Sequence, residues 1–509
     1  MNPEIVRQTL DAIMKAQQAP IQDPRLAGIL QKDANSSFHQ AGSAVSGLTY
    51  YDLELGAKFL YPVLTPLRNE IPRVSGKGGI QANWRAITAV NTSNVRPGVS
   101  GGNRGGVTAV ATKDYTAAYK GLGLEDNVDF EAQYAGMAFD DIRGIAAKTL
   151  LEMLMLGEEA TILGGNSSFA LNGGNATTTP SLADVATGGT LPANTTHYVK
   201  CVALSFDAFQ YGSVGATGVQ GQITRTNADG STDTFGGGAA KISAEASVTT
   251  ANDGNATHSI TASLSAPILG TAGYAWFIGT VSGTNYLMAI TSAPTVTLTT
   301  PGLNTNQAAA SLGANDNSTN TLVFDGLITQ CIAAGSGAYV KAISATLTTD
   351  NAGGVVEIEN ALKDRWDNYR LGPDTMWVNS QQAYDISKKI LTSGTSGAQR
   401  FVFNSTQDAL NAGVMVRTYL NKYSMSGGSV IDIKIHPNMP AGMILMTTKK
   451  LPYAMSNVGN IFQVRTRQDY YQIEWPLRSR KYEYGVYTDQ VLQHYFPPSM
   501  VLLYDIRAG

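Results

Sequence analysis

The side chains able to do chemistry are few in this chain, and their spacing is poor for it. There are five histidines, His39, His197, His258, His436 and His494. No two stand at the short spacing of a zinc-binding HExxH pair, so each reads as a surface or hydrogen-bonded polar residue. "GVSGG" at Gly98–Gly102 matches the GxSxG pattern of a nucleophile elbow. It lies in a Gly/Ser-rich loop and not on a strand-to-helix turn, so it carries no nucleophile assignment. "SGKGGI" (75–80) and "GGNRGG" (101–106) offer glycine amides and a cation to a phosphate, but neither fits GxxxxGK[ST] between strand and helix. Asp140–Asp141 and Glu158–Glu159 are adjacent acids. Neighbours on a helix point in different directions, so each pair reads as a solvated or intersubunit face rather than an acid/base couple. Cys201 and Cys331 match no zinc, CxxC or disulfide pattern and read as buried thiols. No catalytic residue, cofactor or metal is expected, and the chain reads as non-enzymatic.

The charges exclude further classes. Arg465, Arg467, Arg478, Arg480 and Lys481 form a loose basic group. With a net charge of −3 and a pI of about 6.0, it is expected to pair with acidic neighbours across an interface rather than hold nucleic acid. Charged residues are 15% of the chain, well below the usual quarter, and 53 glycines help to fill the gap. Such composition suggests β-rich structure with surface covered by neighbours. No run of 18 apolar residues could span a membrane. The first residues, "MNPEIVRQTLDAIMKAQQAP", lack the apolar stretch of a signal peptide. Synthesis in a cytoplasm without general secretory export is the expectation.

The elements that would position these residues follow from periodicity. A chain of 509 residues exceeds one core, so about two to four domains are expected. Residues 3–18 predict a short amphipathic helix in an arm. Residues 51–74, punctuated by Pro62, Pro66 and Pro72, predict extended chain with at most one helical turn. Residues 80–124 predict a long hairpin whose sixteen-residue tip, "NTSNVRPGVSGGNRGG", is longer than a hairpin needs. Residues 131–163 predict one helix of about 50 Å, capped by Asn127 or Asp129. Its apolar face is Ala135, Phe139, Ile142, Ala146, Leu150 and Met153. It stops on Gly164–Gly165, where the composition changes.

From Ala170 to Thr305 the only Lys or Arg residues are Lys200, Arg225 and Lys241. "HYVKCVALSF", "KISAEASV", "SITASLS", "GYAWFIGTV" and "TVTLT" predict strands of an antiparallel sandwich with Trp276 in its core. Residues of about 178–305 hold this whole set and are expected to fold alone. Beyond residue 311, "VVEIENALKDRWDNYRLG" predicts a helix with Ile358, Leu362, Trp366 and Tyr369 on one face. "DTMWVNSQQAYDISKKIL" predicts a strand, a cap at Asn379 or Ser380, and a helix; "VIDIKIHPNMPAGMILMTT" predicts two strands joined by a Pro/Gly turn. The end, with "YYQIEWPLRSRKYEYGVYTDQVLQHYFPPSMVLLYDI", is aromatic-rich β-chain.

This order of elements resembles the major capsid proteins of tailed bacteriophages, the Hong Kong 97-like fold. "GLGLEDNVDFEAQYAGMAFDDIRGIAAKTLLEMLMLGEEATILGGN" is similar to that family's extended loop entering its spine helix. "IDIKIHPNMPAGMILMTT" and "DTMWVNSQQAYDI" are similar to its axial-domain segments. The resemblance implies an α+β fold with an inserted all-β, immunoglobulin-like sandwich. It implies an N-terminal arm (1–50), an extended E-loop region (51–125), and a spine helix of the peripheral domain (126–174). The inserted sandwich would be 175–310, the continued peripheral domain 311–372, the axial domain 373–451, and the peripheral C-terminal strands 452–509. It further implies self-assembly into hexamers and pentamers of an icosahedral head, with double-stranded DNA enclosed without sequence-specific binding. A separate scaffold protein, a portal and a place in the virion follow, with synthesis in the host bacterial cytoplasm. Intersubunit contact candidates are Arg96 and Arg104 in the tip, Ile142, Trp366 and Trp475. Two rival readings are a phage tail or host-binding structural protein with an immunoglobulin-like module, and a secreted polysaccharide-acting enzyme. The second needs an export signal and convergent carboxylates, and neither is visible.

Overall fold

A two-stranded ribbon, Gln81–Val90 paired antiparallel with Val110–Ala118, runs out from a layered α+β body. The computed structural model describes residues 60–90, 96–107, 109–136, 140–391, 415–424, 428–454 and 456–509. The expected N-terminal helix, His39, Phe139 and residues 91–95 of the tip lie outside them. Leu60–Gly509 forms one compact unit. The ribbon ends sooner than the expected hairpin: after Tyr119 the chain changes partner, and Lys120–Asp129 joins a different sheet.

That sheet has four strands in the order Arg73–Ser75, Phe462–Glu474, Lys481–His494, Lys120–Asp129. Its centre is the long C-terminal hairpin, with Phe462 opposite His494 and Glu474 opposite Tyr484. Against it lies the helix Ile142–Gly164. The helix is shorter than the sequence predicts: 23 residues, about 34 Å, preceded by a separate helix Phe130–Gly136. Asn127 and Asp129 lie in the strand that leads into the helix Phe130–Gly136, not at the start of the long helix. The cap is Asp141, whose carboxylate accepts the Gly144 N–H at 3.2 Å. Part of the acidic pair read as a solvated or intersubunit face is therefore a helix start signal. The buried stripe is Leu150, Leu154, Glu158 and Ile162, each four residues on, and it packs on Val128, Tyr484 and Val486 at its first half. Met153, expected on this face, is 55% exposed, because the stripe continues by fours through Leu154.

A second sheet has six strands: Tyr339–Ala342, Val501–Tyr504, Ile444–Thr447, Thr375–Val378, Ser429–Ile435 and Thr418–Asn421. The Pro/Gly turn does join 429–435 to 444–447, but Thr375–Val378 is inserted between them, parallel to one and antiparallel to the other. Alternation sends Met376 and Val378 to one face, against Ile358, Leu362 and Ile386 of helices Val356–Tyr369 and Ser380–Leu391. Trp377 and Leu445 point into the other core, shared with Ile162, Leu163 and Phe462. Asn379 caps its helix as expected, accepting the Gln381 N–H at 3.0 Å.

Between the two halves of this body, beside a small hairpin of Ile223–Thr226 and Thr232–Phe235, the chain makes two larger sheets, ordered Thr295–Leu298, Ser259–Ser263, Ser181–Val185 and Thr284–Thr291, Gly273–Val281, Thr196–Leu204, Ala246–Thr249. They close on one core around Trp276, Val199, Ile260 and Leu298. The four-stranded sheet is buried on its other face too, where Phe277 and Leu287 meet Val219, Ala309 and Leu312. "KISAEASV" departs from expectation: only Ala246–Thr249 is strand and Ala244 is exposed. Ser243 takes the inner place, its Oγ accepting the Cys201 N–H at 2.9 Å.

The glycine pair now has a physical reason. Outgoing and returning chains cross at the helix end: Asn320 N donates to Asn166 O at 2.7 Å and Gly326 N to Gly165 O at 2.8 Å. A Cβ on Gly165 would stand 2.4 Å from Phe324 O, and one on Gly164 would strike the Phe206 ring. Only glycine permits this approach.

Candidate functional site

The ribbon grows from a short stretch, Pro66–Ser75, and the buried acids of the long helix anchor that stretch. Glu158 and Glu159 are fully buried, which corrects their reading as a solvated or intersubunit face. Glu159 accepts the Leu67 and Arg68 N–H groups, at 2.8 and 2.7 Å, from the first turn of Pro66–Glu70. His436 lies 2.6 Å from its Oε1. Asn438 N–H donates to His436 Nδ1 at 3.1 Å, so Nε2 carries the hydrogen given to Glu159.

Glu158 takes the other charges. Arg68 Nε lies 3.2 Å away, and Arg73 and the Tyr470 hydroxyl also bond to it. Arg73 continues to Asp469 at 2.7 Å and to Gln490 at 2.8 Å, and both guanidiniums lie over the Tyr470 ring, at 5.1 and 4.7 Å. Glu70 completes the joint with Lys434, and with Lys449 at 2.9 Å. Burial raises the Glu70 carboxyl, but the two ammoniums outweigh it and hold the group below its ordinary range. The network thus fastens the ribbon root to the long helix, to the C-terminal hairpin and to the six-stranded sheet at once. Its carboxylates are occupied by fixed partners, which suits a mechanical joint. Among the described residues no group of three or more His, Cys, Asp or Glu is arranged to hold a metal ion.

The ribbon itself is exposed. Trp84 stacks on Tyr115 and meets the edge of Tyr495 near the root. Further out, Ile87 is 68% and Val107 85% exposed. Arg96 and Arg104 lie exposed in the tip segment. Ile142 is half-buried at the first turn of the long helix, and Trp475 is half-buried at the closing end of the C-terminal hairpin, its N–H on Glu483 O at 2.9 Å. Arg143 and Glu474, their chain neighbours, pair at 2.8 Å, so these two candidates belong to one region. Trp366 is half-buried on the separate helix Val356–Tyr369. The five candidates are not gathered into one site.

Three of the five residues of the basic group have acidic partners within the chain. Arg467 pairs with Asp489 at 2.6 Å, Arg480 with Glu131 at 2.6 Å, and Lys481 with Asp129 at 3.4 Å. Of the histidines, His197, His258, His436 and His494 are buried. His258 and His436 are satisfied by carboxylates, but neither ring nitrogen of His197 meets a hydrogen-bond partner among the described residues, against the expectation. Cys201 and Cys331 are buried free thiols, and burial pushes Cys331 up to about 12.

Nothing local in the sequence marks Arg68, Arg73 or Tyr470, and His436 stands there only as one of five isolated histidines. The available signal was Glu158–Glu159 itself. Four residues to either side stand Leu154, Met155, Ile162 and Leu163, so no basic side chain on the helix can meet the acids.

No family model matches the chain, and no curated protein matches it. Among solved structures it is similar to a chain of the capsid of a native GTA particle, at 10% identity and a TM-score of 0.41, over 90% of this chain and 96% of that one. It is similar to a chain of the capsid of Myoviridae phage XM1, at 9% identity and a TM-score of 0.39, over 92% and 100%. It is also similar to a chain of the cyanophage A-1(L) capsid, at 8% identity and a TM-score of 0.41, over 90% and 97%.

Proposed function

We propose that this chain is a shell-building subunit of the tailed-phage capsid type, a structural protein of the virion that assembles with copies of itself. The observation that carries the proposal is the ribbon. It spans roughly 30 Å at the usual rise per strand residue. Among the described residues it pairs with no third strand, and it carries apolar side chains into solvent, including Ile87 at 68% and Val110 at 55% exposure. An isolated two-stranded ribbon is marginal in water, and bare apolar positions along it favour association. Yet its root is fixed by a buried charge network in three directions, as a lever arm requires and a free loop does not. A second copy of the chain would cover the ribbon and return the favour through its own, which closes into rings when the rotation closes. In this reading the rings are hexamers and pentamers of an icosahedral head around double-stranded DNA. A scaffold protein and a portal are the further expected partners, and the two-sheet module is an immunoglobulin-like insertion.

Negative-stain microscopy and sedimentation of the purified full chain test this. Rings or closed shells are expected, and deletion of the tip residues 98–106 should leave folded monomers. Rods, or monomers of the intact chain at all concentrations, would overturn the reading in favour of a tail or host-binding protein.

A further inference from the structure

At one end of the three-stranded sheet, His258 is fully buried with a carboxylate on each ring nitrogen. Nδ1 lies 2.9 Å from Asp184 Oδ1, and Nε2 lies 2.9 Å from Asp253 Oδ1. A neutral imidazole has one N–H and can serve one of them; the imidazolium serves both. Asp184 stands on strand Ser181–Val185, and its second oxygen accepts the Ala251 N–H at 2.8 Å. Asp253 stands in the loop 251–257, and its Oδ1 also accepts the Asn255 N–H at 3.0 Å. The carbonyls of Asn255 and Ala251 take the N–H groups of Ala193 and Asn194, at 3.0 and 3.2 Å. The ring thus joins the strand carboxylate to the loop carboxylate, beside backbone bonds that also hold the loop, among them Gly189 N–H to Thr257 O at 3.0 Å.

We propose that Asp184, His258 and Asp253 form a proton-operated latch. It holds loop 251–257 on the end of the sheet and releases it when the imidazolium gives up a proton. On deprotonation one carboxylate loses its donor and faces the lone pair of a buried ring, and because the Asp184 and Asp253 side chains already reach water, at 18% and 32% exposure, an open loop with both groups solvated is favoured. The titratable groups facing His258 are these two carboxylates; His197, on strand Thr196–Leu204, feels the charge of Asp184. The hydrogen bonds that His258 donates to Asp253 and then to Asp184 hold it above its ordinary value of 6.5. The His258 hydrogen bond in turn brings Asp253 down to about 2. Burial pushes His197 below 6.5 despite the pull of Asp184. The signs are opposite. The stability that His258 contributes is complete below 6.5 and is lost as pH rises through its raised value. His197, which resists its proton in the fold, opposes folding below 6.5. The latch is thus tightest near 6.5 and opens on the alkaline side.

Hydrogen exchange of the intact chain, corrected for the chemical rate at each pH, reads this out through the Ala251 and Asn255 amides. From about pH 6 to about pH 9.5 their protection should fall by about tenfold or more, the size of one lost charge-assisted hydrogen bond. Strand Gly273–Val281 should keep its protection, which separates loop release from unfolding. Asp253→Asn keeps the shape and should move the transition down towards 6.5, the ordinary imidazole value. His258→Gln should remove the transition. Flat protection across the range, or the same transition in His258→Gln, would overturn the proposal.

Discussion

Glu158 shows what one residue decides here. Two guanidiniums and a phenol converge on its buried carboxylate, and removing one member of such a set strands the others without a partner. Glu158→Gln should lower stability by about 3–5 kcal/mol, measured by urea unfolding; a change within about 0.5 kcal/mol, the size of an ordinary surface substitution, would sink the joint. Glu70 adds a pH dependence. Because Lys434 and Lys449 hold its carboxyl below 4.5, its contribution is complete above 4.5 and is lost as pH falls through the lowered value. Glu70→Gln should remove that part of the acid destabilisation, and unchanged acid midpoints in thermal melts would contradict it. Ile142 teaches the reverse. It looked central to the apolar stripe, yet it opens the helix, half-buried, where an acid is favoured by the helix dipole. Leu150, 5% exposed against Val128 and Tyr484, is the position where Asp should abolish folding and assembly, read by soluble yield and microscopy. The stripe could be read in the sequence from its spacing. The acids' partners could not, because Arg73 and Tyr470 lie far away in the chain and pairing at that range leaves no local pattern.

Elements were legible where one period ran uninterrupted. Strand Gly273–Val281 and the helix Val356–Tyr369 stand where apolar spacing places them. The failures are at changes of partner. The run from Val107 to Leu124 reads as one strand, but Tyr119 divides it between the ribbon and the body sheet. The helical period from Glu131 onward runs through a break that the Asp141 cap imposes. The ribbon supports a prediction about cohesion. Its tip carries Arg96 and Arg104 and no lysine between Asn91 and Gly106. A guanidinium stays protonated and is a poor nucleophile, so no lysine–asparagine weld to a neighbour can form there. Lys113 lies over the Tyr115 ring at 5.1 Å, and Lys120 gives a hydrogen bond to Thr321 O at 2.6 Å, both back from the tip. Disulfide welding is disfavoured by the burial of both thiols. Assembled particles boiled in detergent should run as a single band near 53.9 kDa. A series of cross-linked multimers would refute non-covalent cohesion.

At the scale of the whole molecule, the two-sheet module depends on residues outside its own strands. Composition placed its limits near 178 and 305, and the strands do fall inside them. The packing asks for more. Leu171 sits in the core around Trp276, and Ala309 and Leu312 cover Phe277 and Leu287 on the far face. Gln307 reaches back, its N–H on Gly215 O and its Oε1 on the Val219 N–H at 2.8 Å. None of these residues lies in a strand, so no alternation advertised them. A piece ending at 305 would uncover two large apolar side chains, each worth about 1.5–3 kcal/mol of burial, which a small domain can hardly spare. The piece 171–318 keeps both cores, and its ends already meet, with Leu171 N on Ser318 Oγ at 3.0 Å. Phe206 is the main side chain it would lose to water, since that ring packs into the body beside Gly164. Residues 171–318, expressed alone, should therefore give a β-rich far-ultraviolet dichroism spectrum and one cooperative melt. Residues 178–305 should melt broadly or aggregate. Equal cooperative melts for the two pieces would show that the second core is dispensable, and no cooperative melt for 171–318 would show that the module exists only as part of the body.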